Sequence, residues 1–77
     1  MDQLKEYTTV RVRQLLQRNR EFSGSTSVSR SPQIGDTGFV LESRVVSGHL
    51  KYLVESVSPQ GLTIWLAEFE LEELERA

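Results

Sequence analysis

IGDTGFVLESRVVSGHLKYLVESVSPQGLTIWLAEFELEELERA, residues 34–77, decides the fold of this chain. Gly35-Asp36 is a tight-turn pair, and Gly38 permits a bulge or a close backbone approach where the next strand starts. Phe39-Val40-Leu41 opens that strand, which runs to about Val46. Ser47-Gly48-His49 is a turn, and Lys51 to Val57, KYLVESV, is the following strand. Ser58-Pro59-Gln60-Gly61 is a four-residue hairpin connection, with Pro59 and Gly61 placed for a type I or II turn. Thr63 to Ala67, TIWLA, is a short strand. In the acidic end, EFELEELERA, the apolar residues Phe69, Leu71 and Leu74 are spaced by two and three, which fits one turn of helix before a last short strand.

Upstream, residues 8–15, TTVRVRQL, alternate Val10 and Val12 with Arg11 and Arg13. Period two with β-branched residues predicts a half-buried strand. A helix from Leu4 through Leu16 is the competing reading, because VRQLLQRNR contains good helix formers. Residues 18–33 change character: five serines, Thr26 and Gly24 lie between Ser23 and Ser31, with Pro32 next. That composition buries little apolar surface, so the segment is expected to be a long flexible loop. Five short strands broken by glycine turns, without βαβ alternation or internal repeat, predict a mostly β fold. The expected form is a small five-stranded SH3-like barrel, residues 1–77 as one domain. Its expected core includes Val10, Val12, Val54, Ile64, Leu66 and Leu74.

With 77 residues, the chain buries only roughly 60% of its unfolded surface, so its stability margin is thin. It has no cysteine and a single histidine, His49. Neither a disulfide nor a standard zinc site can staple it. The core must come from apolar packing, alone or with a partner. No stretch reaches the ~20 apolar residues that span a bilayer, and MDQLKEY at the start lacks the apolar run of a secretory signal. The expectation is a cytoplasmic protein without membrane insertion.

Net charge is −2, but it is unevenly spread. Residues 1–30 hold six basic against three acidic side chains, a balance of +3; residues 31–77 hold three against eight, a balance of −5. Two readings stay open: the charges neutralise each other across neighbouring strands, or the arginines form a basic patch.

The series IGDTG-FVLE (34–42), KYLVESV (51–57), GLTIWL (61–66) and FELEELE (69–75) resembles a family of small bacterial proteins of unknown function. Their pattern is a Gly-Asp-x-Gly turn, a strand ending in Tyr-x-Val-Glu, a Thr-Ile-x-Leu strand and a closing Leu-x-x-x-x-Leu. The resemblance covers about residues 8–76 apart from the loop, and it implies the SH3-like barrel with no assigned activity. The order of elements is also similar to the PsaE-type accessory subunit of photosystem I. Gly-Asp-x-Gly-x-Val is in addition the turn of KOW-type ribosomal and transcription barrels.

No catalytic constellation is legible. A hydrolytic triad needs a nucleophile, a base and an orienting acid, and His49 sits in a Ser-Gly-His turn with no motif beside it. Glu68, Glu70, Glu72, Glu73 and Glu75 lack the Asp/Asn-Gly spacing of a calcium loop and read as a solvated acidic tail. Gly35-Asp36-Thr37-Gly38 leads into a strand and not a helix, so it reads as a turn and not a phosphate cradle. No cofactor is expected.

Trp65 is the most informative single residue. Period two sends it to the face opposite Ile64 and Leu66. Either it points outward as an interface anchor, or it lies beneath the long loop as a satellite core. The candidate partner-binding surface combines Trp65 with Arg18, Arg20, Phe22 and Arg30, residue types enriched at interfaces. The expected function is a non-catalytic protein-interaction module or small accessory subunit, its protein partner unidentified. The alternative is a KOW-like nucleic-acid-binding barrel using the N-terminal arginines, a reading that the net acidic charge disfavours.

Overall fold

The computed structural model describes residues 4–17 and 19–77. The described residues form five strands: β1 (Thr9–Val12), β2 (Thr37–Val46), β3 (His49–Val57), β4 (Thr63–Glu70) and β5 (Leu74–Arg76). A 3-10 turn, Leu71–Glu73, joins β4 to β5. The strands make one sheet in the order β4-β3-β2-β1-β5. Every pairing is antiparallel. β4 and β5 are its two edges, and no ladder joins them. The mostly β expectation holds, as does the helical turn before the last strand.

Residues 9–12 are strand, and no helix forms between Leu4 and Leu16. The reason is burial: Val10 and Val12 are about 1% exposed while Thr9 and Arg11 face out. A helix would have pointed those two valines in different directions.

The inner face of the sheet follows period two along each strand. Val40 from β2, Tyr52 and Val54 from β3, and Trp65, Ala67 and Phe69 from β4 pack with Val10, Val12 and Leu74. Leu4 closes the core, and its N–H donates to the Tyr52 hydroxyl at 3.2 Å. A bulge at Leu41 shifts the β2–β3 register between Val40 and Glu42.

β4 reverses one expectation. Trp65 is fully buried, whereas Ile64 and Leu66 are half-buried on the other face. The physical reason is the strand's true length. β4 continues to Glu70, so the two alternating sets are Trp65-Ala67-Phe69 and Leu66-Glu68-Glu70. The set that carries two carboxylates must face water, because an unpaired buried charge is costly. Ile64 still packs against the margin of the core.

The serine-rich segment, expected to be a long flexible loop, lies with its backbone bonded to the free edge of β4. Ser23 exchanges both backbone hydrogen bonds with Leu66, at 3.1 and 2.7 Å; Ser25 N–H donates to Thr63 O and Arg30 N–H to Ile64 O. Composition carries no sign of this docking, because main-chain groups and not side chains make it. Gly24 makes the approach possible: a Cβ there would sit 2.6 Å from the Ile64 carbonyl oxygen. An edge strand's unpaired N–H and C=O groups are thereby covered from within the chain.

Candidate functional site

Two carboxylates, Asp36 and Glu73, hold the long loop to the sheet. Asp36 lies in the turn before β2, with its side chain 13% exposed. It accepts both Arg30 guanidinium nitrogens (2.6 and 3.0 Å), the Gln33 N–H (2.9 Å) and the Trp65 indole N–H (2.9 Å). The buried indole thus finds the partner that its N–H requires.

Glu73 closes the 3-10 turn and has no exposed surface. It accepts the Leu16 N–H at 2.8 Å, the Glu70 N–H at 2.9 Å and the Arg20 guanidinium at 2.5 Å. Arg20 is itself only 6% exposed along its side chain and lies 4.3 Å from the centroid of the Phe69 ring. Phe69 in turn meets Trp65, with centroids 5.3 Å apart and planes tilted by 55°. One continuous chain of contacts therefore runs Arg30–Asp36–Trp65–Phe69–Arg20–Glu73.

That chain relocates the expected partner surface. Arg20 and Trp65 are brought together in the interior, and Arg30, whose side chain is 43% exposed, joins them from the surface through Asp36. Trp65 offers no surface to a partner in the folded domain. Phe22 remains 41% exposed. Arg18 lies outside the described residues. The solvated acidic tail is corrected at Glu73, which is buried; Glu72 and Glu75 are exposed. The reading in which charges neutralise each other gains specific partners: Arg11 pairs with Glu75, Arg20 with Glu73, Arg30 with Asp36 and Arg44 with Glu68.

Outside this chain the described residues form an open groove of about 1110 Å³. It lies between Gln17 with residues 19–23 and the outer face of β2, β3 and β4. Phe22, Leu53 and Leu66 give it apolar lining, with Arg44, Lys51 and Glu68 around them. Arg20 also lines it, and its Nε and Nη1 meet no acceptor among the described residues. Leu53 and Leu66 went unnoticed as site residues because outward aliphatics resemble core in a sequence. Glu73 had a signal: it continues the inward series Trp65, Ala67, Phe69, Leu71.

No family model, curated protein or solved structure matches the chain. Among the described residues no cluster of three metal-ligating side chains occurs, and no helix is long and apolar enough to cross a membrane.

Asp36 makes loop docking pH-dependent. Partial burial opposes its ionisation, but the hydrogen bonds from Arg30, the Gln33 amide and Trp65, with the Arg30 charge, outweigh that and hold its pKa below the ordinary value. A lowered folded pKa means that the ionised form stabilises docking at neutral pH and that this contribution is lost as pH falls through the folded value. In acid, the Ser23, Ser25 and Arg30 amides are expected to lose hydrogen-exchange protection before those of β3. Asp36→Asn should weaken docking by about 1–2 kcal/mol at neutral pH and flatten the acid response. Parallel loss of protection in loop and sheet, unchanged in Asp36→Asn, would contradict the assignment.

Proposed function

We propose that this chain is a non-catalytic protein-interaction module, a small barrel of the SH3-like kind, and that its partner docks in the groove beside Phe22. The antiparallel order with β5 against β1, and the 3-10 turn before β5, support the barrel reading. So does the resemblance of the Gly-Asp-x-Gly and Thr-Ile-x-Leu segments to small bacterial barrels of that type. A place as accessory subunit of a larger complex, in a bacterial cytoplasm, is consistent with that resemblance.

The groove carries the functional reading. It joins an exposed aromatic, Phe22, to two outward leucines on the sheet, and supplies donors from Arg44 and Lys51. Rigid elements with an apolar centre and polar surroundings are what protein hot spots require. The occupant that fits is an extended protein segment with one apolar anchor next to a carboxylate. The pairing of Arg11, Arg20, Arg30 and Arg44 with acids weighs against a nucleic-acid surface.

Panning a random peptide library on the folded domain tests this. Selected peptides should share an apolar residue beside Asp or Glu, and Phe22→Ala should weaken them about thirtyfold, the effect of a central anchor. Selected peptides indifferent to both Phe22→Ala and Leu53→Ser would reject the groove. Tighter binding of single-stranded oligonucleotides, falling steeply with salt, would favour the nucleic-acid alternative.

A further inference from the structure

Among the described residues, one side of the distal half of the β2–β3 hairpin has no pairing partner. β1 and the two residues before it accompany β2 only as far as Val40, through Tyr7 N–H to Val40 O and Val40 N–H to Thr8 O. From Leu41 to Val46, the described residues pair β2 with β3 alone. Ser47 and Gly48 both have positive φ, 51° and 81°, so a two-residue turn closes on the Val46–His49 pair. Antiparallel ladders alternate. Counting back from that closing pair, the N–H and C=O groups of Val45 and Ser43 point away from β3. Val45 is 69% exposed, Val46 37% and, at the near end of the same edge, Tyr7 70%. An exposed apolar strand edge of this kind is a template for strand addition.

We propose that a second copy of this chain adds antiparallel to this edge, giving a two-fold dimer centred on Ser43. Self-complementarity identifies the occupant. A two-fold contact must pair residue i with j and j with i. With Ser43 opposite Ser43, Glu42 of each copy falls opposite Arg44 of the other. Facing residues lie on the same side of a sheet, so both charge pairs form on the outer face, on the side of Leu53 and Glu68. The outward-pointing backbone groups of Ser43 meet at the axis. Moving each strand by one residue to centre the axis on Arg44 would set two arginines against each other, so charge selects the Ser43 register. Val46 then reaches the partner's Tyr7. Arg44 keeps capacity for the new contact: its Nε and Nη2 face Glu68 while its side chain stays 59% exposed.

The full chain should sediment at roughly 100 μM with a mass near twice 8.8 kDa, a concentration suited to an interface at the small end of the range. Arg44→Glu and Glu42→Arg each set like charges opposite one another twice per dimer and should weaken association about tenfold. The swap Glu42→Arg with Arg44→Glu restores both pairs and should restore the dimer. These exposed positions contribute little to folding, and thermal melts of each variant verify that they remain folded. A monomeric full chain overturns the proposal, as does a dimer insensitive to both single charge reversals or a folded swap variant that stays monomeric. A dimer that appears only after removal of residues 1–3 also overturns it, because the chain's own start would then be the occupant of the edge.

Discussion

Glu73→Ala is expected to be among the most destabilising single substitutions in this chain, removing a large share of its folding free energy. The carboxylate has no exposed surface and serves the Leu16 amide, the Glu70 amide and the Arg20 guanidinium at once. Removing it strands a cation whose side chain is 6% exposed. Breaking a buried pair from one side costs about 3–5 kcal/mol. A domain of this length has only ~4–12 kcal/mol in total. Glu73→Gln keeps the shape and an acceptor oxygen but still leaves the guanidinium uncompensated, so it should fall between wild type and alanine. Replacing both partners, Arg20→Met with Glu73→Leu, should recover much of the loss, because the desolvation of two charges disappears with the pair. Urea midpoints for the four proteins measure this. A Glu73→Ala midpoint within error of wild type would show that the pair does not hold the 3-10 turn to the start of the long loop.

Trp65→Ala should be comparably damaging, and for a different reason. The indole is fully buried between Phe69 and the turn that carries Asp36. Truncating a core aromatic costs about 3–5 kcal/mol through lost burial and the cavity left behind. Trp65→Phe keeps most of the volume and forfeits the bond to Asp36, so about 1–2 kcal/mol is expected. Trp65 is the sole tryptophan in the chain. Its emission should therefore be blue-shifted in the native protein and move red in one step with urea. Native emission typical of water-exposed indole, or a Trp65→Ala variant with an unchanged midpoint, would remove Trp65 from the core. A loss of partner binding in Trp65→Ala then reports unfolding; Phe22→Ala is the variant that probes the groove.

The failure at β4 shows where sequence reasoning stopped. Ending that strand at Ala67 left Ile64 and Leu66 as two aliphatics against one tryptophan, and hydrophobicity alone chose the pair. Extending it to Glu70 adds Glu68 and Glu70 to the leucine's face and Phe69 to the tryptophan's. The inward side then follows from charge. The boundary was hard to place because Glu-Phe-Glu-Leu-Glu-Glu reads equally well as a helical turn or an alternating strand, and β4 uses the first half for strand and the turn uses the second.

The sequence by itself determined the local structure: valines alternating with arginines made β1, and glycine-bearing turns set the hairpins. It also fixed the short helical turn before β5. These features depend on backbone preferences and period two, which act within a few residues. Only the tertiary structure decided which side of β4 is inside, where the serine-rich backbone docks, and that Arg20 and Arg30 serve carboxylates of their own chain. Arg20 and Glu73 are 53 residues apart, and Asp36 and Trp65 are 29 apart. No local pattern encodes such partners. They are chosen because a charge or an indole N–H carried into the interior must find its complement there, and the complement is whatever the folded sheet brings within reach.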